Sequence, residues 1–321
     1  MRWLLPVFLL ACGHGSGAPP APGSGSVIVP AASVPAAPAP EVAEAPQPAE
    51  LDCTQQPFET ATPVHEASGA GWLTIDGKLA MVVVSDSGND GEYGVVDPDT
   101  GVTLEVGKLP LGDAGDDIEG VAGKDGKLYG LTSAGWMRVW ERRGAGFALV
   151  AGPYPLGPQD LPNGGGGNRP PKTDGMVCGA HHGNCGRNYE GLCLAARPAP
   201  GCVGFAAAKA DGHLYCLVEA DGKLAVSRDR PIEITKPGAM ADCAFDDQDR
   251  LWVGNNLFGL SVVYRVDGWR HRETASVVSI GSLGGGFPEV VAGRGEMLYR
   301  MSDTGGAPSL MQKFRCSAKQ R

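Results

Sequence analysis

Residues 116–135 read DDIEGVAGKDGKLYGLTSAG, and the pattern of this stretch returns downstream with its internal spacing intact. An acid opens a short apolar run, a Gly-rich turn follows, a second apolar run begins Leu-Tyr, and a Ser/Thr-rich turn ends in Gly. Two short apolar runs bounded by such turns read as a β-hairpin. Glu119 stands nine residues before Leu128, Asp242 nine before Leu251 in ADCAFDDQDRLWVGNNLFG, and Glu289 nine before Leu298 in EVVAGRGEMLYRMSDTGG. Glu190 opens a further copy in NYEGLCLA, whose partner run is read as 213–218, displaced by an insertion carrying Cys202. An earlier copy is partial. Its second run, 79–86, leads into Ser-Asp-Ser-Gly, while the first run around Trp72 lacks the acid.

Further candidate strands follow each copy, at 136–142 and 147–150 after the reference copy and at 260–266 and 274–280 later in the chain. Units of roughly 40 to 50 residues with about four strands each are propeller blades, sheets that bury their faces only by packing on their neighbours. The expected fold is therefore all-β, a β-propeller of about five four-stranded blades spanning 52–316. Connections are short Gly/Asp/Pro turns and one long loop, with no amphipathic helical segment between strands, so a βαβ arrangement is excluded.

Ahead of the domain, residues 1–11 carry one positive charge, Arg2, and an apolar stretch too short to span a bilayer. The junction Leu9-Leu10-Ala11-Cys12 resembles a bacterial lipobox, which implies cleavage before Cys12 and lipidation of its thiol. Gly13 rather than Asp after the cysteine implies release to the outer membrane, with the domain in the periplasm or at the cell surface. Residues 12–51 are rich in Ala, Pro, Gly and Ser, a composition that cannot bury enough apolar surface to offset the entropy of ordering. Such a tether reaches about 35 Å as a coil and about 100 Å if extended. Residues 317–321 read as a tail.

Net charge is −9, and loss of Arg2 with the signal makes the mature chain one charge more negative. That balance argues against nucleic acid and anionic lipid as partners and suits divalent cations. The membrane is then met through the lipid anchor alone, and the domain is expected to be a monomer whose partner is a protein or a small molecule.

Of nine cysteines, Cys12 is used by lipid, leaving eight in a compartment where disulfides persist. Eight cysteines allow 105 connectivities. Cys53 and Cys316 bracket the domain, and a closed ring must bring its ends together, so a Cys53–Cys316 bond would staple the seam. Segment 57–62 is expected to supply the outer strand that the last blade lacks after 309–315. Proximity in sequence suggests Cys178 with Cys185, Cys193 with Cys202, and Cys216 with Cys243.

The long loop, 152–188, contains glycines 164–167, Pro170, Pro171, Lys172 and the run CGAHHGNC at 178–185. Loops of this length are usually functional or disordered. The glycines beside Lys172 lack the spacing of a phosphate-binding loop. Cys178, His181, His182 and Cys185 have the residue types of a zinc site, with a Cys178–Cys185 disulfide as the alternative. His65, His213 and His271 stand alone.

Glu119, Glu190, Asp242 and Glu289 share one repeat position at the start of the innermost strands, so they should converge on the channel. Carboxylates that close raise one another's pKa values unless a cation sits among them, and hard oxygen ligands suit Ca²⁺ or Mg²⁺. Local capping of turn N–H groups is the other use of such acids. A second repeat position, just after the inner hairpin, holds Asp86, Ser133, Glu219, Asn256 and Asp303, where turn formation competes with metal ligation. Asp86 with Asp90, Gly91 and Glu92 gives part of a calcium-loop spacing, with Gly88 where a ligand is expected.

The pairing of D-I-E-G-V-A at 117–122 with N-Y-E-G-L-C-L at 188–194, and hairpins ending S-D-x-G, resemble the phytase-like propeller family, also called the esterase-like domain of phytase, over 72–314. The resemblance implies a propeller with acidic Ca²⁺ ligands that hydrolyses a phosphate or other ester. The chain departs from that pattern in having fewer acids and no cluster of basic residues to hold phosphate. No GxSxG elbow and no HExxH motif occurs. Two functions follow, a surface-tethered binding or scaffold module and a divalent-metal-dependent ester hydrolase, and the sequence leaves catalysis open. Lipidation is testable directly: mass spectrometry of the mature chain from a lipidating host should find a diacylated or triacylated Cys12 at the N-terminus. An unmodified Cys12, or retained upstream residues, contradicts it.

Overall fold

The computed structural model describes residues 50–161, 175–234, 239–257 and 260–319. The signal, Cys12 and the tether up to residue 49 lie outside the described residues, as do glycines 164–167, Pro170, Pro171 and Lys172.

Two strands, β1 (Leu51–Gln56) and β2 (Ala61–His65), precede the first blade. Blade 1 is β3 (Ala67–Ile75), β4 (Lys78–Ser85), β5 (Glu92–Val96) and β6 (Thr103–Lys108). Blade 2 is β7 (Ile118–Lys124), β8 (Lys127–Thr132), β9 (Trp136–Arg143) and β10 (Gly146–Pro155). A short parallel pair, β11 (Gln159–Leu161) with β12 (Val177–Cys178), leads to blade 3. That blade is β13 (Tyr189–Ala199), β14 (Cys202–Ala208), β15 (His213–Ala220) and β16 (Lys223–Val226), with β17 (Ile232–Glu233) also on β15. Blade 4 is β18 (Ala239–Phe245), β19 (Leu251–Leu257), β20 (Leu260–Asp267) and β21 (Ser276–Ser282). Blade 5 is β22 (Phe287–Arg294), β23 (Met297–Asp303) and β24 (Pro308–Ala318), completed by β1. The fold is a five-bladed all-β propeller with antiparallel blades, and the helical content among the described residues is one 3₁₀ turn, Arg272–Thr274.

What holds the ring is one apolar cluster per blade interface. Leu73, Val82, Val84 and Tyr93 meet Ile118, Val121 and Trp140 between blades 1 and 2, while Leu131 and Met137 meet Leu192, Leu194 and Leu217 between blades 2 and 3. Cys193, Phe205 and Leu214 meet Phe245, Val253 and Trp269 next, followed by Trp252 and Val263 against Val291 and Leu298. Val64, Met81 and Val83 with Tyr299 and Met301 close the circle. Each fully buried Val, Leu or Met contributes about 1.5–3 kcal/mol, so each interface is held by several such terms.

The seam lies where ring closure requires it, but its strand is Leu51–Gln56 rather than 57–62. Cys53 faces Cys316 in register and bonds to it, and β2 adds to the other half of β24, with Ala61 opposite Leu310. Residues 57–59 connect these strands, so the expected segment bonds to β24 only at its end, where Thr60 O accepts from Met311 N at 2.9 Å and Ala61 and Thr62 pair with Leu310 and Ser309. Cys178 bonds Cys185, but the other pairs are Cys193–Cys243 and Cys202–Cys216. The physical reason is the hairpin β14–β15, which places Cys202 beside Cys216, whereas Cys193 lies on an inner strand against the inner strand bearing Cys243. Closing a loop of 263 residues at Cys53–Cys316 removes about 5 kcal/mol of unfolded-state entropy, less any strain. Replacing both cysteines by Ala should lower the denaturant midpoint by several kcal/mol equivalent without loss of the native fold; an unchanged midpoint contradicts the seam's role.

Candidate metal centre

Inner strands β3, β7, β13, β18 and β22 pack side by side around the axis. They approach so closely that a Cβ on Gly120 would stand 2.3 Å from Leu192 N, and one on Gly191 2.6 Å from Cys243 N. This is why the motif reads Glu-Gly: the second position has no room for a side chain. Between the inner strands lies a cavity of about 30 Å³, lined by residues such as Gly71, Val121, Leu192 and Ala244.

The carboxylates sit at one end, at irregularities in strand pairing. Pairing of β7 with β8 runs Ile118 to Thr132 and then Gly120 to Leu131, skipping Glu119. The same skip falls on Ser68, Glu190 and Glu289. A bulge re-aims the skipped side chain, which is how these strands deliver a polar residue out of an apolar ladder. Blade 1 therefore contributes Ser68, whose Oγ donates to Ile118 O at 2.6 Å.

Asp242 departs from the set. The turn between β18 and β19 is one residue longer, since Phe245 pairs with Leu251 where Gly123 pairs with Leu128, so the constant nine-residue spacing lands one position late and the skip falls on Ala241. Asp242 occupies the position of Gly120 and reaches sideways, accepting from Val291 N at 3.0 Å and Cys243 N at 2.7 Å. It is a bond between blades 4 and 5, the capping use of an acid rather than ligation.

The second repeat position is also revised. The partner of β13 is β14, and residues 213–220 are the third strand, so Glu219 is exposed on β15 and takes no part in the channel. β14 reads CVGFAAA, with none of the Leu-Tyr opening of its counterparts, and Leu214-Tyr215 imitates that opening one strand later. The residue after β14 is Lys209. The position therefore holds Asp86, Ser133, Lys209, Asn256 and Asp303.

Asp86, Asp117 and Glu119 bring one carboxylate oxygen each to within 4.8 Å of one another. Asp117, two residues before Glu119, completes the group; the shared pattern of D-I-E-G and N-Y-E-G, polar two before the Glu, is the signal that points to it and to Asn188. Asp117 accepts from the Ser133 hydroxyl, and Ser133 Oγ accepts from Asn184 N at 2.7 Å. Asp117 Oδ1 is buried without a partner, as are both side-chain polar atoms of Asn188 and Oε1 of Glu190. Glu190 Oε2 accepts from Lys209 Nζ at 2.8 Å. Glu289 and Asp303 are not among the three residues whose oxygens converge.

Burial raises the Asp86 carboxyl to about 7, with Asp117 and Glu289 adding repulsion against the opposing bond from Ser87 N. Glu119 is held well above the usual carboxylate range by burial and then by Glu190, Asp86 and Asp117, and Asp117 is raised by burial. Glu190 is raised to about 8 by burial, partly offset by Lys209. Glu289 is raised by burial as well.

The loop 178–185 stands against this group: a Cβ on Gly183 would meet the Asp117 carboxylate oxygens at 3.1 and 3.2 Å. With Cys178 and Cys185 joined, neither sulfur remains as a thiolate for zinc, and His181 and His182 are exposed, His181 Nε2 lying 3.5 Å from Asp113. The partial calcium loop does not converge, because Glu92 accepts from His65 N at 3.1 Å while Asp90 is exposed near Lys108. His213 packs edge-on to Tyr215, and His271 flanks the 3₁₀ turn.

No protein-family model matches the chain, and no curated protein is similar to it in sequence. Solved structures match at low identity and with TM-scores below 0.5. A luciferin-regenerating enzyme is 12% identical, with 83% of this chain and 95% of that chain covered and a TM-score of 0.48. Glutaminyl cyclase of Myxococcus xanthus is 12% identical over 85% of this chain and 100% of that chain, with a TM-score of 0.47. The calcium-binding protein regucalcin of Agrobacterium tumefaciens strain C58 is 14% identical over 82% and 96%, with a TM-score of 0.42.

The raised carboxyls make stability depend on pH in a defined sense. Above the unfolded-state pKa values near 4 the unfolded chain has lost these protons while the folded chain keeps them, so the folded state binds more protons and stability falls as pH rises. The fall should span pH 4 to about 7, the upper end set by Asp86 at about 7. In chelator the melting temperature should drop by at least about 5 °C from pH 5 to pH 8, and Glu119→Gln should reduce the drop. A flat or rising profile contradicts the shifts.

Proposed function

We propose that this propeller is a lipid-anchored envelope protein whose channel mouth binds one divalent cation, Ca²⁺ by the hardness of its ligands, and hydrolyses an ester there. The observation that carries the reading is the set of three carboxylates, Asp86, Asp117 and Glu119, gathered within 4.8 Å with Asp117 Oδ1 left without a partner. A buried, unpaired carboxylate oxygen costs several kcal/mol, and a cation removes that cost. The donor set fits the ion, being all oxygen with the Ser133 hydroxyl on Asp117. A cation at this place supplies Lewis acidity to an ester's carbonyl or phosphoryl group. The chain's own residues define the rest: Ser133 and Asn184 N fix the Asp117 side, and Lys209 fixes Glu190. The Leu9-Leu10-Ala11-Cys12 junction supports the anchor, and the D-I-E-G and N-Y-E-G motifs support kinship with the phytase-like propellers.

A binding-module reading is favoured by a different observation. Val102, Leu104 and Val106 are 46%, 61% and 47% exposed along the outer edge of blade 1, an open strand edge with an apolar row of the kind that pairs with a partner strand.

Calorimetric Ca²⁺ titration of the wild type, Asp117→Asn and Glu119→Gln, followed by turnover of a chromogenic ester with and without chelator, tests the proposal. The wild type should bind, each variant should bind at least about tenfold more weakly, a 1.4 kcal/mol loss, and chelation should abolish turnover. No binding at millimolar Ca²⁺ overturns the metal centre; binding without metal-dependent turnover of carboxylic or phosphate esters overturns the hydrolase and leaves the binding module.

A further inference from the structure

Lys209 is an outlier in its ring. The four equivalent positions carry Asp86, Ser133, Asn256 and Asp303, acids or neutral polar residues, and blade 3 alone places a cation there. Its side chain is 19% exposed and makes one hydrogen bond among the described residues, to Glu190 Oε2. Its proton is held more tightly than usual despite burial, through the charge of Glu190 and the bond to it and, beyond that, the charges of Glu289 and Glu119. The channel thus divides into two acidic halves. Glu190 is ion-paired with an ammonium at 2.8 Å, and Glu289 also feels its charge, whereas Asp86, Asp117 and Glu119 have no Lys or Arg ion pair among the described residues.

We infer that Lys209 is a tethered stand-in for a second cation, restricting the channel mouth to a single divalent ion on Asp86, Asp117 and Glu119 and keeping a second ion off Glu190 and Glu289. Glu190 supplies the independent sign that this half is built for a cation. It is 2% exposed, its Oε2 already holds the ammonium, and its Oε1 has no partner. An ammonium at that distance opposes a second divalent ion by like-charge repulsion while neutralising one carboxylate, so a neutral residue in its place leaves an acidic pocket with an unused oxygen. Lys209 is a positioning and selectivity residue here, acting through the charge it places rather than on a reacting group.

The inference rests on the cation centre proposed above, and its test separates the two. Calorimetric Ca²⁺ titration should give one ion per chain for the wild type and for Lys209→Arg, which keeps the charge. Lys209→Ala should take up two ions, and Lys209→Ala with Glu190→Gln should return to one. A wild type that binds no Ca²⁺ overturns the centre itself. A wild type that binds one ion, with Lys209→Ala also binding only one, overturns the stand-in role. Because Lys209→Ala leaves Glu190 buried without its charge partner, the variant's folding is read by circular dichroism with and without millimolar Ca²⁺. Folding restored by Ca²⁺ supports a second ion in place of the ammonium, and a chain that stays unfolded in Ca²⁺ counts against it.

Discussion

Burying a carboxylate beside other carboxylates is unfavourable twice, through lost hydration and through mutual repulsion, and the inner strands of this propeller do it in neighbouring blades. Glu119 and Glu190 are 3% and 2% exposed, each held near the next by strands too closely packed for a Cβ at the following residue. In one half of the channel the chain offsets the cost internally, with Lys209. In the other half no Lys or Arg among the described residues forms an ion pair, and the orphaned Asp117 Oδ1 marks where a cation is needed. The function proposed here follows from that asymmetry.

The ring makes such a site affordable. Each blade interface is a separate apolar cluster, so local strain at the channel is borne by five cores rather than one. The first and last strands are joined in register by Cys53 and Cys316, so the circle cannot open at its weakest point without breaking a covalent bond. The disulfide-closed loop 178–185 lies against Asp117, fixing one side of the carboxylate group from outside the blades.

Most of the architecture was legible because hairpins repeat, and repeats constrain topology more than any single propensity does. The inner strands around Glu119, Glu190 and Glu289 and the seam at Cys53 and Cys316 all follow from it. What failed did so where a repeat changes length or composition. The extra residue in the turn after Phe245 moved Asp242 off the shared position while preserving its spacing to Leu251. The small-residue strand 202–208 hid the true partner of β13, and with it Lys209, behind the Leu-Tyr of the next strand. Asp117 was visible in D-I-E-G, but a single residue beside a bulge gains meaning only when the strands around it show which side chains meet. The disulfides of Cys193 and Cys202 likewise depend on which strands are neighbours, which spacing does not encode.

The central claim is that Asp86, Asp117 and Glu119 ligate a divalent ion, and anomalous diffraction addresses it without assuming any activity. Crystals of the domain grown with Mn²⁺ in place of Ca²⁺ should show one anomalous peak at the channel mouth, within about 2.6 Å of an oxygen from each of the three carboxylates. An empty channel mouth at millimolar Mn²⁺ and Ca²⁺, or a peak held by other residues, would contradict it.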